Sequence, residues 1–222
     1  MDFGLSFRYV FKDEAWVKKL VSVALWGLIP VIGVLVIGGW GLKVGKMVID
    51  GHAENKLPKV EFGADLRRGI LASLIDLIYI LPAMMFFATA VVLIRSGFNV
   101  EGIAQGFLFV MGGLFGLVGL LLWIMWFFIA TVAFANFLAK DRFGAAFNFR
   151  ELFGLLKHSF IFWVMLILCQ FLAMAIIAPL GIVLFGIGIF ITTAYAAVLY
   201  AHLLGQAYRL SVSNASAEKR SS

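Results

Sequence analysis

Charged residues are scarce in this sequence. Asp, Glu, Lys and Arg make up 14% of the 222 residues, whereas hydrophobic residues make up 63%. Soluble domains are typically about a quarter charged and about half apolar. Because the apolar residues here form long continuous blocks, the composition excludes an ordinary soluble domain and indicates a multi-spanning membrane protein.

Cysteine is almost absent, and histidine is rare. Cys169 is the single cysteine, so no intramolecular disulfide can form. The three histidines, His52, His158 and His202, are scattered along the chain and have no carboxylates at metal-ligand spacing. We therefore expect no catalytic residues, no cofactor and no bound metal.

The apolar blocks define the membrane spans. A helix needs about 20 apolar residues to cross the bilayer core. The chain contains only four prolines, and the "APLG" sequence at 178–181 separates the last two blocks into a helical hairpin. Four blocks are long enough to span: Gly69–Ile94, Gly106–Leu138, Ser159–Ala178 and Gly181–Gly205.

The first apolar block, residues 20–49, contains Pro30 and has two possible paths. It either crosses once as a kinked helix or splits into a re-entrant hairpin. Lys and Arg concentrate on the cytoplasmic side of membrane proteins. A hairpin places every Lys and Arg except Arg95 on one side, whereas a single crossing moves four to the other side: Arg8, Lys12, Lys18 and Lys19. We predict the hairpin and cytoplasmic termini, and five crossings with the N-terminus outside is the alternative.

The block Gly106–Leu138 is longer than a bilayer requires. Its residues would reach about 50 Å as one helix. The glycine-rich half "FLFVMGGLFGLVG" either lies along the outer surface or folds back, and the crossing would then be close to Gly119–Leu138. Both paths remain open at this point.

Three short segments mix aromatic, acidic and basic residues: "FKDEAWVKKL", "VEFGADLRRGIL" and "FNFRELFGLLKH". This composition is typical of amphipathic helices that lie at the lipid headgroups. In the third segment, Asn148 and Glu151 have the spacing of a capping box. We expect four basic residues to contact anionic lipid headgroups: Arg67, Arg68, Arg150 and Lys157.

These features together predict an all-α, polytopic membrane helix bundle. It has four full spans plus an N-terminal re-entrant or kinked apolar hairpin, with short amphipathic interfacial helices. The chain forms one integral membrane domain, and two of its parts resemble a parallel internal repeat. Its parts are an interfacial N-terminus (1–19), the hairpin (20–49), a span pair (59–138), a second span pair (147–208) and a polar tail (211–222).

Small residues recur at four-residue spacing, which lets membrane helices approach closely. Gly41 and Gly45 show this spacing in the first block. The same pattern occurs in two later spans, at Gly112 and Gly116 and at Ala197, Ala201 and Gly205. Internal helix packing is the favoured interpretation, and a homo-oligomer interface is the alternative.

Four polar residues inside the spans are candidates for one network: Asp76, Asn136, His202 and Gln206. A charge at the centre of a membrane helix costs about 2.5–3.5 kcal/mol, so Asp76 requires partners. By helical rise, Asp76 and His202 lie at similar depths, and His202 shares a helix face with Gln206. We predict a hydrogen bond from His202 to Asp76, completed by Gln206 or Asn136. For the polar face of the last span, a satisfied network in the core is the favoured interpretation, and a ligand path or a partner-binding surface are the alternatives.

Several short motifs occur in a recognisable order: "FKDEAWVKKL", Gly-Trp-Gly at 39–41, "KLP" at 56–58 and "GQAYRL" at 205–210. With these motifs the chain resembles an uncharacterised family of bacterial and archaeal multi-spanning membrane proteins, catalogued as a domain of unknown function. The family's aromatic residue after "LP" is represented here by Phe62, four residues late. The resemblance implies a prokaryotic plasma-membrane protein and transfers no activity.

Two functional hypotheses follow from the sequence. One is a non-catalytic scaffold or accessory subunit that binds a membrane partner. The other is a small transporter or channel with a polar path near Asp76 and His202. The expected partners are the lipid bilayer, anionic lipid headgroups, and a second copy or another membrane protein. Nucleic acid is not expected, because the basic residues flank apolar blocks.

Overall fold

The computed structural model describes residues 1–52, 56–181 and 188–221, and the regular secondary structure in these ranges is helical. Residues 182–187, the predicted start of the last span, lie outside the described residues. Two short 3-10 turns (Val10–Lys12 and Phe143–Phe147) and a π-helical turn (Ala173–Ile177) accompany the α-helices. The α-helices are α1 (Phe3–Tyr9), α2 (Trp16–Trp26), α3 (Ile32–Ile49), α4 (Phe62–Gly97), α5 (Ile103–Lys140), α6 (Phe149–Leu172), α7 (Ala178–Leu180) and α8 (Gly188–Ser221).

Five described helical segments are long and apolar enough to cross a membrane, so the predicted polytopic helix bundle is confirmed. Besides α3, α4 and α5, they are Phe149–Ile177 and Gly188–Glu218. The sequence predicted four full spans plus a hairpin. The additional candidate is α3, the second arm of that hairpin, which continues to Ile49, the end of the apolar block.

The helix of the first apolar block is interrupted between α2 and α3, near Pro30, as the hairpin hypothesis requires. The Ile32 N–H donates to the Pro30 carbonyl at 2.7 Å, and Val31 between them has φ 65° and ψ −61°. This is the strained, rare form of γ-turn. The reversal therefore depends on a β-branched residue at positive φ. The path of this hairpin through the membrane stays a prediction.

Two predictions about the central spans are wrong in detail. The glycine-rich half of the block Gly106–Leu138 neither folds back nor separates, because α5 is one continuous helix of 38 residues. The segment "VEFGADLRRGIL" is not a separate interfacial helix, because its helical part continues into α4, which has 36 residues. Helices of these lengths extend about 55 Å.

The chain forms two compact units. The first contains Met1–Ser73 and Thr131–Ser222, and the second contains Leu74–Ala130. Within the first unit α3 and α8 are the most buried of the apolar helices. Their contact is made by the predicted small residues, because a Cβ on Gly41 would lie 2.9 Å from the Ala197 Cβ, and one on Gly205 would lie 2.6 Å from the Val48 Cβ. Neither helix could approach the other so closely with larger side chains.

A second close crossing joins α3 to the start of α4. A Cβ on Gly39 would overlap the carbonyl oxygen of Asp65, and one on Gly69 would overlap the carbonyl oxygen of Leu35. The two backbones are thus in direct contact. This crossing was not predicted, since Gly39 and Gly69 form no repeated small-residue pattern.

The start of α6 is separated from its membrane part by a kink at Ser159, which has φ −150° and ψ 33°. The Leu155 carbonyl at the kink accepts a hydrogen bond from the buried Trp163 indole at 3.1 Å. The end of α8 packs here, because Asn214 donates to the Ser159 hydroxyl and His158 pairs with Glu218 at 2.6 Å. The described part of the predicted polar tail thus belongs to α8 and is helical.

The second unit is the helical hairpin formed by α4 from Leu74 onward and by α5 as far as Ala130. Gly112 and Gly116 lie against α4, where a Cβ on Gly112 would be 2.6 Å from an Ile94 side-chain carbon and one on Gly116 would be 3.8 Å from the Ala90 Cβ. Both predicted glycines thus serve packing inside this unit. Gly102, with φ 70°, closes the turn between the two helices.

Candidate functional site

The polar face of α8 contacts α1. His202 is buried, and its Nδ1 lies 2.8 Å from the Ser6 hydroxyl. Gln206 accepts a hydrogen bond from the Asp2 N–H at 2.6 Å and lies 3.1 Å from His202 Nδ1. His202 and Gln206 therefore share a network, with the N-terminal helix as its other half.

Aromatic contacts extend this α1–α8 network. The Tyr9 ring lies 4.6 Å from the His202 ring. Nearer the start of α8, the Tyr195 hydroxyl donates to the Phe7 carbonyl at 2.9 Å. Of the three explanations for the polar face of α8, these contacts agree with a network inside the protein, because the partner is α1 of the same chain.

Asn136 occupies a different place in the first unit. Its amide donates to the Ala145 carbonyl at 2.8 Å and to the Glu151 carboxylate at 3.0 Å. Lys140 also pairs with Glu151. The predicted capping box is wrong, because the Asn148 side chain makes no capping hydrogen bond.

Asp76 lies in the second unit, where the Trp126 indole N–H donates to its carboxylate at 2.9 Å. Trp126 is the one hydrogen-bond donor that the described residues supply to Asp76. Asp76 belongs to the second unit and His202 to the first, so the pairing between them stays a prediction. Within its own unit, His202 Nδ1 is engaged by Ser6 and Gln206. A tryptophan fifty residues away could have been proposed from the sequence, since an indole N–H needs an acceptor in an apolar setting.

Sequence reasoning missed a set of contacts around the α3–α4 connector, residues 56–61. Four consecutive backbone carbonyls of the connector accept hydrogen bonds from side chains. The donors are the Tyr9 hydroxyl (3.0 Å), the Lys19 ammonium (2.6 Å), the Trp40 indole (3.2 Å) and the Lys43 ammonium (3.2 Å). Their acceptors are backbone atoms, which leave no side-chain pattern in the sequence.

Two buried carboxylates complete this arrangement. Asp13 accepts hydrogen bonds from the Leu57 N–H at 2.7 Å and from Lys19 at 2.7 Å. Asp65 accepts from the Glu61 N–H at 2.7 Å and pairs with Lys43 at 2.7 Å. One acid thus holds each end of the connector.

The electrostatics at the connector follow from these contacts. Burial alone would raise the pKa of Asp13, but the hydrogen bonds from Lys19 and the Ala15 and Leu57 N–H groups outweigh it and lower the pKa overall. The hydrogen bond from Lys43 lowers the pKa of Glu61. Burial, assisted by the charge of Asp13, raises the pKa of Tyr9 to about 12.

The predicted headgroup residues are accessible to different degrees. Arg67, Arg150 and Lys157 are exposed. Arg68 is half-buried, and its Nη1 has no hydrogen-bond partner among the described residues. The Arg68 Nη1 atom is itself buried, so the three exposed side chains are the ones that an external anionic group can reach.

A cleft of about 270 Å³ opens within the first unit. Its walls come from α3, from the first turns of α4, from α5 and α6, and from α8. They are mostly apolar, with Ser73, Gln170, Thr193 and Tyr200 as polar members and Gly38 at one wall. The Gln170 Oε1 atom is buried and has no hydrogen-bond partner among the described residues.

The arrangement therefore has two kinds of polar site. Around α1, the connector and Asn136, polar groups bind one another and hold the helices together. At Asp76 and in the cleft, a polar group in apolar surroundings retains the capacity to bind something else.

Comparisons with known proteins agree with the sequence resemblance. The model of a family described as "Protein of unknown function (DUF4013)" matches residues 22–191, about three quarters of the chain. No curated protein and no solved structure matches the chain significantly.

Proposed function

The chain belongs to the DUF4013 family, and we propose that it is a non-catalytic protein of the prokaryotic plasma membrane that holds a membrane protein partner. The polar residues inside its spans support this role. His202 and Gln206 bind α1, and Asn136 binds the segment that leads into α6. Residues engaged in this way stabilise a scaffold.

The observation that carries the proposal is the environment of Asp76. A carboxylate offers about four acceptor positions, and among the described residues Trp126 fills one of them. Side chains nearby on α4, such as Leu77 and Ile78, are exposed and apolar. An acid in such a setting is unfavourable unless a donor reaches it. We infer that a partner helix supplies a Lys, Arg or amide group to Asp76.

The test is purification of the tagged chain from its native membrane in mild detergent. We expect a partner protein at fixed stoichiometry with the unmodified chain. Asp76→Leu should weaken the complex at least about tenfold, because the partner's donor is left unpaired. Glu101→Gln, which removes an exposed acid of the same unit, serves as the matched control and should retain the partner.

Two results would contradict the proposal. One is a chain that purifies alone, without a stoichiometric partner or second copy. The other is a partner that stays bound equally well after Asp76→Leu. Asp76→Asn keeps a hydrogen-bonding group and should give an intermediate loss.

Anionic lipid is the second proposed partner. The exposed basic residues Arg67, Arg150 and Lys157 support this proposal. With the termini on the cytoplasmic side, these residues would face the anionic leaflet.

A transporter is the alternative function, and one observation favours it. The π-helical turn Ala173–Ile177 interrupts the α-helical geometry between α6 and α7, and interrupted helices surround substrates in many transporters. Flux measurements in proteoliposomes distinguish the two functions. If Asp76→Asn folds normally and abolishes a proton-coupled flux, the transporter replaces the scaffold.

A further inference from the structure

We propose that the cleft of the first unit binds a lipid-soluble alcohol, with its hydroxyl group on the Gln170 amide and its chain along α3 and α8. This site is independent of the partner-binding role of Asp76. It follows from the walls of the cleft, from the state of Gln170 and from the space beside Gly38.

The walls select an apolar and uncharged ligand. Val34, Leu42 and Phe134 contribute apolar surface, and no charged residue is among the described residues that line the cleft. The lining segments belong to helices that are candidate spans. A ligand therefore enters from the lipid phase and carries no formal charge.

Gln170 selects a hydroxyl group on that ligand. Its buried Oε1 has no hydrogen-bond partner among the described residues, and an unpaired buried acceptor is unfavourable. A hydroxyl group can donate and accept, so it satisfies the amide in either orientation. Thr193, also in the lining, offers a second polar contact.

Gly38 leaves room for the chain. It lies within α3 and lines the cleft, and a Cβ placed on it would meet nothing within 4 Å. Glycine lowers helix stability relative to alanine. Because no neighbour lies close to Gly38, close packing does not explain why glycine occurs at this position. The π-helical turn adjoins the cleft through Met174, and such turns are frequent at functional sites.

The test uses the purified full chain in nanodiscs with two photoreactive probes. One is a long-chain alcohol with a diazirine on its chain, and the other is the matching alkane without a hydroxyl group. Mass spectrometry measures labelling of the peptides that contain residues 34–42 and 193–200. We expect the alcohol to label them about threefold to tenfold more than the alkane, as one hydrogen bond allows.

Four variants assign the effect to the cleft. Gln170→Leu should remove the preference for the alcohol without changing labelling by the alkane. Gly38→Leu should fill the space and reduce labelling by both probes. Gln105→Leu and Gly113→Leu change the same residue types outside the cleft lining, and both should behave like the unmodified chain.

The outcomes decide the proposal. Equal labelling by alcohol and alkane in the unmodified chain would show that the cleft binds any acyl chain. This result would overturn the proposal. So would labelling that Gly38→Leu leaves unchanged. Gel filtration verifies folding, and Gln170→Met, which keeps the side-chain length, replaces Gln170→Leu if the latter does not fold.

Discussion

Asp13 accepts a hydrogen bond from the backbone N–H of Leu57 at 2.7 Å, across 44 residues of sequence. The same carboxylate accepts from Lys19, which also donates to the Leu57 carbonyl. The start of α2 is thereby tied to the connector that leads into α4. This connection makes the stability of the first unit depend on the ionisation of one acid.

The first prediction concerns pH. The pKa of Asp13 is lowered in the folded protein, so its contribution to stability is fully present at neutral pH. That contribution is lost as the pH falls below about 4, the usual value for an aspartate, and through the lowered pKa. Asp13→Asn should lower the thermal unfolding midpoint at pH 7, and the two proteins should converge in acid.

Glu14→Gln is the control for this prediction, because Glu14 is the neighbouring acid and is exposed. It should change the midpoint little at any pH. If Asp13→Asn and the unmodified chain differ equally at pH 7 and in acid, the carboxylate charge does not hold the connector.

The second prediction concerns the crossing of α3 and α4. Gly69→Ala should destabilise the protein by at least about 2 kcal/mol, because the new methyl group overlaps the Leu35 carbonyl and forces the helices apart. Gly63→Ala, near the start of α4 where nothing lies within 4 Å, should be neutral or stabilising. Chemical unfolding in nanodiscs compares the two, and equal effects would contradict this crossing.

The third prediction concerns the strained turn at Val31. Val31→Gly should stabilise the protein by about 1 kcal/mol, since glycine adopts positive φ without strain. Val31 is 73% exposed, so little packing is lost. Val34→Gly, at an exposed position inside α3, should instead destabilise by about 0.5 kcal/mol. A loss of stability with both variants would argue against the turn.

The fourth prediction concerns topology. In a Cys169→Ser background, cysteine placed at the exposed position of Arg8 should react with a membrane-impermeant reagent only after the cells are opened. Cysteine at Asn99, which is exposed in the turn between α4 and α5, should react in intact cells. Labelling of residue 8 from outside would rule out the re-entrant hairpin and favour a full crossing.

The fifth prediction concerns anionic lipid. If Arg67, Arg68, Arg150 and Lys157 contact headgroups, each should contribute about 1 kcal/mol in anionic membranes. The thermal midpoint should then be higher in anionic than in neutral nanodiscs, and replacing all four by glutamine should reduce the difference. Identical midpoints in both lipids would remove this partner.

Features with a local signal could be predicted from the sequence. The break near Pro30 and the packing of Gly112 against α4 follow from residue type and spacing within a few residues. The polar face of α8 was also predicted, because His202 and Gln206 are one helical turn apart. Such patterns specify which face of a helix is polar or closely packed, even when the helix that contacts this face is not known.

The features that the sequence did not predict depend on the rotation of each helix about its axis and on backbone atoms that are distant in sequence. The predicted pairing of Asp76 with His202 rests on depth alone, and depth does not specify the direction in which a side chain leaves its helix, so the contact of Asp76 with Trp126 was not foreseen. The contacts of Trp40 and Lys43 with the connector have backbone carbonyls as acceptors. A carbonyl is present at every residue, so the sequence cannot show which one is bound. The path of the glycine-rich half of α5 was misjudged, because a membrane can accommodate a long helix by tilt, so that excess length alone does not require a fold-back.

The contact between α1 and α8 has a consequence for synthesis. Ser6 and His202 are 196 residues apart, so α1 leaves the ribosome long before its binding surface exists. At about 5–20 residues per second, it waits about 10–40 s for α8. During that interval, residues of the N-terminal segment that are buried in the folded chain, such as Tyr9, must be covered by something other than α8. The docking of α1 is thus a late event of biogenesis, and it can occur only on a chain whose last helix has been made.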